Sequence, residues 1–348
     1  MTLSLTAALD DNGRRLDRIL RKALRETALS AIHRLLRQGR VCVDGKTAGA
    51  GLRIQAGQII TVESDLPAKV TGPQPAEALP RGATTPHSGK LPEILFEGAG
   101  LLVLNKPAGL EVHGKGSLED QVRSYLKPKI PPSLSFRPGP LHRLDKPSSG
   151  IIVYSTNLEG ARFFSALIKE RKIKKFYLAL VQGIVENAEI WRDELIRDKS
   201  RQKTFTADLG AMMVEAGRPS DDSGPAAGKD ALTRVKPLAG NNNCTLILAE
   251  IETGRTHQIR VQAASRGHPL LGDRKYGAKP FPPDGTFRSF LLHAWRLEFP
   301  TLKFSGEIPA ALNRTSPPLP NQIEAPLPGY FKSKIRELLR KDIASLLP

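Results

Sequence analysis

Apolar residues in the first part of the chain recur at the spacing of two short helices. The first helical stripe covers residues 16–24, and the second covers residues 32–36 behind a capping Ser30. Two strand patterns follow, one over residues 41–46 that enters an Asp-Gly turn and one over residues 58–62. The pattern predicts a compact unit of two helices and a small sheet.

The opposite faces of both predicted helices carry arginines. They include Arg15, Arg18, Arg34 and Arg37. Guanidinium groups presented from one side would form a platform for RNA phosphates. A helical face that is only solvated gives the same pattern, so both interpretations stay open at this point.

Composition divides the chain into four segments. Residues 12–65 form the basic unit, and residues 66–92 contain too much Pro, Gly and Thr for regular structure. We expect a flexible linker there, which would let the basic unit move by roughly tens of ångströms relative to the rest. The large body covers residues 93–312. Residues 313–348 form a C-terminal extension that begins Pro-rich and ends in a helical pattern from Tyr330 to Leu347.

The charge balance indicates a polyanionic partner. The chain has 348 residues, with 52 Lys and Arg against 35 Asp and Glu, which gives a net charge of +17. Nucleic acid is the first candidate partner and an anionic membrane the second, while charge that only maintains solubility is the alternative. Hydrophobic residues make up 40% of the chain, which excludes a disordered polycation, and aromatics make up only 5%, which disfavours a stacking surface for single strands.

Composition also limits the kind of site and the location. Cys42 and Cys244 are the only cysteines, so a disulfide framework and a four-cysteine zinc site are excluded, and we expect no metal. The N-terminal segment meets carboxylates too early for a signal peptide, and no apolar run approaches the ~20 residues of a membrane span. The basic segment 332–341 is the only candidate for a membrane surface, and we interpret it as a helix packed on the body or on RNA. We therefore expect a soluble, cytoplasmic monomer, since neither terminus shows a heptad pattern.

The segment from Gly139 to Gly150 contains the most specific arrangement of polar residues. Asp145 lies between Arg143 and Lys146, ahead of small, turn-forming residues and a buried-strand pattern. A carboxylate beside fixed cations is held in place as well as charged. An isolated aspartate on a turn more often caps a helix or forms a surface ion pair, so these neighbours alone leave its role open.

A strand pattern over residues 174–183 begins with Lys174 and Lys175 and contains Tyr177. The two lysines follow other cations and are candidates for contact with RNA phosphates. Tyr177, taken alone, is an ordinary core residue of a strand.

Residues 252–262 predict a further strand. Its alternation places Thr256, Gln258 and Arg260 on one face. If this polar face is buried, Arg260 requires a carboxylate or a phosphate as its partner. Asp145 is one such partner, and a solvated strand face is the alternative.

The chain resembles the RluA-type family of pseudouridine synthases. The family's catalytic signature, His-Arg-Leu-Asp, two variable residues and Thr-Ser-Gly, is matched by residues 142–150 with Ser148 in place of the threonine. Further matches occur in family order at residues 102–110, 174–183, 228–233, 252–262, 267–273 and 292–294. The segments at residues 15–20, 34–41 and 43–45 are similar to the small ribosomal-protein-like (alpha-L) RNA-binding domain, which is common in this family.

The resemblance implies an α+β fold: a mixed, largely antiparallel curved-sheet catalytic domain with Asp145 on a loop in a cleft, plus a small α/β N-terminal RNA-binding domain. It implies an enzyme that isomerises specific uridines in structured RNA without a cofactor or metal. We expect large-subunit ribosomal RNA as the substrate, with transfer RNA as the alternative. A non-catalytic RNA-binding or ribosome-assembly protein is the third interpretation, and the presence of Asp145, Tyr177 and Arg260 argues against it.

The resemblance also implies roles for individual residues. Asp145 is the expected catalytic aspartate, Tyr177 stacks on the target uracil and assists proton removal from carbon-5, and Arg260 pairs with Asp145. Arg143 would occupy the stack vacated by the flipped base, and Leu292 would pack on the other side of the uracil. The remaining candidates for substrate contact are His142, Leu144 and Gln258.

Overall fold

The structure is a computed structural model that describes seven ranges of the chain. These are residues 2–24, 27–63, 91–198, 202–208, 228–280, 289–300 and 317–347. The predicted linker, residues 66–92, lies outside these ranges except for its last two residues.

The N-terminal basic unit combines two helices with a small antiparallel sheet. Its elements are β1 (Thr2–Thr6), α1 (Leu16–Ala23), α2 (Leu29–Arg37), β2 (Val41–Val43), β3 (Lys46–Thr47) and β4 (Ile59–Glu63). The strand order is β1-β4-β2-β3, and the helices and sheet share one buried apolar cluster, as the sequence pattern predicts. The pattern does not predict β1, which pairs with β4 along its whole length, so this sheet begins at Thr2 rather than near residue 12.

The body is built on a sheet of eleven strands. They are β5 (Ile94–Gly98), β6 (Leu101–Lys106), β7 (Gly139–Pro140), β8 (Ser149–Ser155), β9 (Lys174–Gln182), β10 (Glu189–Asp198), β11 (Lys203–Thr206), β12 (Lys229–Gly240), β13 (Cys244–Ile251), β14 (Leu292–Glu298) and β15 (Gln322–Glu324). The order is β11-β10-β12-β13-β9-β14-β8-β6-β5, with β15 beside β14 and β7 beside β8. The pairs are antiparallel apart from a short parallel contact between β14 and β8, which confirms the predicted mixed, largely antiparallel sheet.

Helices cover both faces of this sheet. The longer ones in the described part of the body are α3 (Leu118–Leu126), α4 (Leu158–Lys169), α5 (Gln258–Ser265) and α6 (Gly329–Leu339). α6 is the predicted C-terminal helix, and it ends at Leu339 rather than Leu347 because Arg340 adopts a left-handed backbone conformation with φ 53°. Among the described residues, none of the helices has the length and apolar composition needed to cross a bilayer.

Strand alternation in β9 separates the two faces of the sheet. Tyr177 and Ala179 point into the main core together with residues of β6, β8 and β14, whereas Leu178 and Leu180 point into a second cluster under α6. β8 is buried at every position because both of its faces are covered, which is why its central residues 151–154 form a continuous apolar run. The face that carries Tyr177 therefore lies opposite the C-terminal helix.

The segment at residues 252–262 is not the strand that alternation predicts. β13 ends at Ile251, and the helix α5 begins at Gln258, after His257 turns the chain with a positive φ of 58°. Every position of α5 from Gln258 to Ala263 is buried, so the helix has no polar stripe and no helical periodicity in its sequence. The prediction is wrong for that reason, although Arg260 still points into the body.

Candidate active site

Asp145 lies on the loop between β7 and β8. Ser148 closes a turn in this loop by donating its backbone N–H to the carbonyl of Asp145 at 3.0 Å. Leu144, the residue before, is buried in the main core and anchors the loop. The side chain of Asp145 is 14% exposed, so its carboxylate stands at the edge of a site that is otherwise largely closed to water.

Lys106, at the end of β6, ties this loop to its neighbour. Its ammonium is completely buried and donates to the carbonyls of Pro107 and Leu110 at 2.9 Å and of Lys146 at 3.2 Å. Burial lowers the pKa of Lys106 to about 7, and the charge of Asp145 opposes the change. Because Lys146 directly follows Asp145, the lysine fixes the backbone that carries the carboxylate.

Arg260 joins two carboxylates from distant parts of the chain. Its Nη1 donates to Oδ2 of Asp145 at 2.8 Å, so the contact expected between these residues is present. Its Nε and Nη2 donate to the two carboxylate oxygens of Asp273 at 2.7 and 2.9 Å. The guanidinium thus forms a bidentate pair with Asp273 and presents its remaining edge to Asp145.

Aromatic rings enclose the guanidinium of Arg260 as well. Its central carbon lies 4.2 Å from the ring centre of Phe290 and 4.9 Å from that of Tyr276. Burial alone would lower the pKa of Arg260, but the hydrogen bonds and charges of Asp273 and Asp145 outweigh it and raise the pKa. The arginine is therefore a fixed positive charge in a site that excludes most water.

His257 lies on the other side of the same carboxylate. Its Nε2 is 3.8 Å from Oδ2 of Asp145, and its Nδ1 is joined to the hydroxyl of Tyr276 by a hydrogen bond of 2.7 Å. Burial lowers the pKa of His257 to about 4; Asp145 opposes this, and Arg260 and other nearby cations reinforce it. At neutral pH the imidazole is uncharged, so its approach to Asp145 is a polar contact rather than an ion pair.

Tyr177 on β9 belongs to the same site. Its side chain is buried on the core face of the sheet, and burial raises the pKa of its phenol, to which the charge of Asp145 adds. The phenol is therefore protonated at neutral pH and lies within the electrostatic range of the carboxylate. The structure brings together Asp145, Tyr177 and Arg260, which the sequence places far apart.

One oxygen of the Asp145 carboxylate is available to react with a substrate. Oδ2 of Asp145 is held by Arg260, whereas Oδ1 accepts no hydrogen bond from any residue that the structure describes. A charged oxygen that is fixed, only slightly exposed and open on one side is suited to nucleophilic attack or to stabilising a developing positive charge. Within the described ranges, no three His, Cys, Asp or Glu side chains are grouped in a way that would hold a metal ion.

Two candidate substrate contacts are occupied inside the protein. Nε2 of His142 accepts the backbone N–H of Val153 at 3.1 Å, and its ring stacks against Phe164. The amide of Gln258 accepts from the backbone N–H of Arg255 and the hydroxyl of Thr253, and it donates to the carbonyl of Leu232 and the hydroxyl of Thr233. Both side chains therefore fix local structure, and their contact with a substrate stays a prediction.

The other candidates differ in their access to a substrate. Leu292 is buried on β14 opposite Ala179, and therefore on the same sheet face as Tyr177. Arg143 and Lys174 are exposed, whereas Lys175 is half-buried, which lowers its pKa. Arg143 is thus on the surface two residues before the carboxylate of Asp145.

The arginines of the N-terminal unit are accessible. Arg18, Arg34 and Arg37 are exposed on α1 and α2. Arg15 is also exposed, but it forms an ion pair with Asp17 at 2.7 Å. All four guanidiniums stay on the surface, as the helical pattern predicts, and none is used to hold the core.

Sequence reasoning missed most of the residues that support Asp145. They are Lys106, His257, Asp273, Tyr276 and Phe290. One signal was available for Asp273: a guanidinium has five N–H donors, so a buried Arg260 needs more acceptors than a single carboxylate supplies. The contacts of the others depend on residues that come close only through the fold.

Comparison with known proteins agrees with this geometry. Residues 100–265 match the family model described as RNA pseudouridylate synthase. The chain is 32% identical over 295 residues to "Ribosomal large subunit pseudouridine synthase C" of Vibrio parahaemolyticus, covering 83% of this chain and 86% of that protein. It is 32% identical over 319 residues to "Ribosomal large subunit pseudouridine synthase D" of Nitrosomonas europaea, covering 88% of this chain and 83% of that protein.

A solved structure supports the fold. "Human RNA Pseudouridylate Synthase Domain Containing 4" superposes with a TM-score of 0.53 and 23% identity, covering 70% of this chain and 92% of that one. At this identity the likeness concerns the fold alone. Together with the two bacterial relatives and the matched family model, it confirms the resemblance inferred from the sequence. The chain belongs to the RluA-type family of RNA pseudouridine synthases.

Proposed function

We propose that this enzyme converts specific uridines to pseudouridine in large-subunit ribosomal RNA and that Asp145 is its catalytic carboxylate. The observation that carries the proposal is the position of Asp145, held through one oxygen by Arg260 and open at the other. Support for the substrate comes from the relatives, whose names specify the ribosomal large subunit. The net charge of +17 favours binding to a large polyanion.

The reaction breaks the bond between N1 of uracil and C1′ of ribose and forms a bond between C5 and C1′. The proton on C5 leaves and N1 gains a proton, so there is no net oxidation or reduction. Asp145 attacks the uridine or stabilises the electron-poor ribose while the glycosidic bond is open. Arg260 balances the carboxylate charge in a nearly dry pocket, and Asp273 holds Arg260 in place.

Tyr177 contributes stacking and a hydroxyl. Because its phenol is protonated at neutral pH, it cannot accept the C5 proton unless it gives up its own at the same time. The carboxylate of Asp145 is the charged acceptor whose field reaches Tyr177. We therefore assign Tyr177 to stacking on uracil and to assisting removal of the C5 proton, and the proton that C5 loses balances the one that N1 gains.

The target base must leave its helix to reach this site. Flipping a base costs a few kcal/mol. A sandwich between Tyr177 and Leu292 recovers about 1–3 kcal/mol, and phosphate contacts from exposed cations such as Lys174 offset the rest. Arg143, exposed near Asp145, fills the vacated position in the stack.

Tritium release from RNA that carries the label at carbon-5 of uridine tests the reaction. Unmodified ribosomal and transfer RNAs are assayed separately with wild type, Asp145→Asn and Glu337→Gln. The control makes the same acid-to-amide change on α6, where Glu337 is 53% exposed and lies beyond the opposite face of the sheet. We expect release from large-subunit RNA with wild type and control, and none with Asp145→Asn.

Any other result of the tritium-release assay would support a different function or a different catalytic residue. Release from transfer RNA alone replaces the substrate and keeps the chemistry. No release from either RNA, with tight RNA binding by all three proteins, favours a non-catalytic RNA-binding protein. Full activity of Asp145→Asn would assign the catalytic role to another residue.

A further inference from the structure

The N-terminal unit is fastened to the body by a buried carboxylate. Asp11 is fully buried and accepts the backbone N–H groups of Leu134 and Ser135 at 3.0 and 2.9 Å. It also accepts the hydroxyl of Ser133 at 2.9 Å and that of Ser135. A buried carboxylate that accepts four donors from the body makes a strong, directional contact. Sequence reasoning expected only a linker between the two parts, and this contact adds a defined docking point.

Further contacts surround this point. Asp10 accepts the backbone N–H of Leu158, the first residue of α4, at 2.7 Å. Arg14 donates to the carbonyl and hydroxyl of Ser135 at 3.0 and 2.9 Å. Leu134 of the body packs against the apolar cluster of the N-terminal unit. The orientation of the basic unit on the body is thus set by specific side chains.

The docked arrangement leaves a cavity of about 320 Å³ between the two parts, here called the junction cavity. One wall comes from α1 and the residues before it, and the other comes from the 134–141 segment and the start of α4. Its basic lining residues are Arg14, Lys22 and Arg137. Its apolar lining includes Leu134, Phe136 and Leu141. A cavity with both kinds of wall suits a ligand with a charged group and an apolar face.

Positive charge dominates around the junction cavity. Burial lowers the pKa of Arg14, and the nearby charges of Arg162 and Arg18 lower it further, against the opposing charges of Asp11 and Asp10. Oxygens of both aspartates already accept hydrogen bonds from the body. The cations that line the junction cavity or surround Arg14 therefore outnumber the carboxylates there. These cations are Arg14, Arg18, Lys22, Arg137 and Arg162.

The junction cavity is close to the catalytic loop along the chain. Leu141 forms part of its wall, and Asp145 follows four residues later. Four residues span at most about 14 Å even when fully extended. Nucleotides next to a target base bound at Asp145 can therefore reach the Leu141 wall of the junction cavity.

We propose that the junction cavity binds the sugar–phosphate backbone of the substrate RNA beside the target uridine. The phosphate contacts the cations, and the ribose or base edge packs on the apolar wall. The RNA then bridges the basic unit and the catalytic body, which places the exposed arginines of α1 and α2 along the same RNA. This inference rests on the proposed function, since it assumes that the target base is bound at Asp145.

The test removes cations from the junction cavity and leaves in place the docking contacts made by Asp10, Asp11 and Arg14. The variants are Lys22→Gln, Arg137→Gln and their combination, because Arg14 itself holds Ser135. The control is Lys332→Gln, which removes an exposed cation on α6, beyond the opposite face of the sheet. Binding of large-subunit RNA is measured against salt concentration in the Asp145→Asn background, and pseudouridine formation is measured with Asp145 intact.

We expect each substitution to reduce the slope of log affinity against log salt by about one, since one phosphate contact is lost. The combined variant should raise KM by about tenfold, with the loss falling on KM rather than kcat. Lys332→Gln should match wild type in slope and KM.

The inference is overturned if the combined variant keeps the salt slope and the KM of the wild type while the wild-type enzyme is active. That result would leave the proposed function intact. An inactive wild-type enzyme would overturn the proposed function instead. In that case the salt slopes still decide whether the junction cavity contacts RNA, because binding is measured without turnover. Equal losses in the combined variant and in Lys332→Gln would also overturn the inference, because they would show a general effect of net charge.

Discussion

Arg260 holds Asp273 through two hydrogen bonds, of 2.7 and 2.9 Å, but holds Asp145 through only one, of 2.8 Å. Asp273 is 2% exposed, and its partner Arg260 is 5% exposed. The bidentate pair fixes the plane of the guanidinium, and this plane sets the direction from which Asp145 is held. Asp273 is therefore a positioning residue that acts on the catalytic carboxylate through Arg260.

Asp273→Asn should lower turnover by about 100-fold, equivalent to about 2.7 kcal/mol in the activation barrier, with little change in KM. The amide keeps the shape of the side chain but loses one acceptor and the negative charge, so the guanidinium is free to rotate away from Asp145. Steady-state kinetics on unmodified large-subunit RNA measure the split between kcat and KM. Asp193→Asn is the control, because Asp193 also pairs with an arginine, Arg266, at 3.0 Å but does not contact Asp145. An equal loss in both variants would contradict a specific role for Asp273.

Tyr177→Phe should keep RNA affinity and lose turnover, since the ring that stacks on the base is retained and only the hydroxyl is removed. Tyr177→Ala should additionally weaken binding by about 1–3 kcal/mol. Burial and the charge of Asp145 raise the pKa of the phenol. If a phenolate were the base, wild-type turnover would rise tenfold per pH unit above neutral. Because the phenol stays protonated, we expect no such rise. Wild-type turnover by Tyr177→Phe would limit the residue to stacking.

The protein should lose stability in mild acid because histidines are buried in neutral form. Burial lowers the pKa of His142 and of His293 to about 4. In the unfolded chain both histidines have an ordinary pKa of about 6.5. Between about pH 4 and about pH 6.5 the unfolded chain therefore binds protons that the folded chain does not bind. The stability is present above about pH 6.5 and is lost as the pH falls toward 4, by about 2 kcal/mol per histidine at about pH 5.

Urea unfolding at about pH 7 and about pH 5 measures this loss. His142→Gln should lose less stability between the two values than wild type does, because one of the imidazoles held in neutral form is gone. His113→Gln, which replaces an exposed histidine, should retain the full wild-type dependence. The same pH dependence in all three proteins would show that His142 does not contribute.

Gly150→Ala should destabilise the protein by at least about 2 kcal/mol and impair catalysis. Gly150 joins the catalytic loop to β8 with a φ of +104°, and an added Cβ would lie 2.2 Å from the carbonyl oxygen of Ala294 on β14. Denaturant unfolding and pseudouridine formation are the measurements. Gly139→Ala is the matched control, since a Cβ there meets no atom within 4 Å. Equal stability of the two variants would contradict the prediction.

Local patterns in the sequence predict the regular elements well. The apolar stripes of α1 and α2, the continuous apolar run of β8 and the strand that carries Tyr177 are all present. The catalytic signature at residues 142–150 was also sufficient to identify the family, which the comparisons confirm. Periodicity and short motifs depend on residues that are close in sequence, so they can be recognised without any knowledge of the fold.

The sequence by itself therefore determined the family, the two helices of the basic unit, the strand that carries Tyr177 and the location of Asp145 on a loop. Tertiary structure alone decided that residues 258–265 form a helix. Because the helix is buried on every side, its sequence lacks the alternation of apolar and polar faces by which a helix is recognised. It also decided that Asp273 holds Arg260 against Asp145, and that Asp11 docks the basic unit on the body. These contacts join residues as far as 124 positions apart, and their hydrogen bonds exist only after the apolar core has brought the segments together.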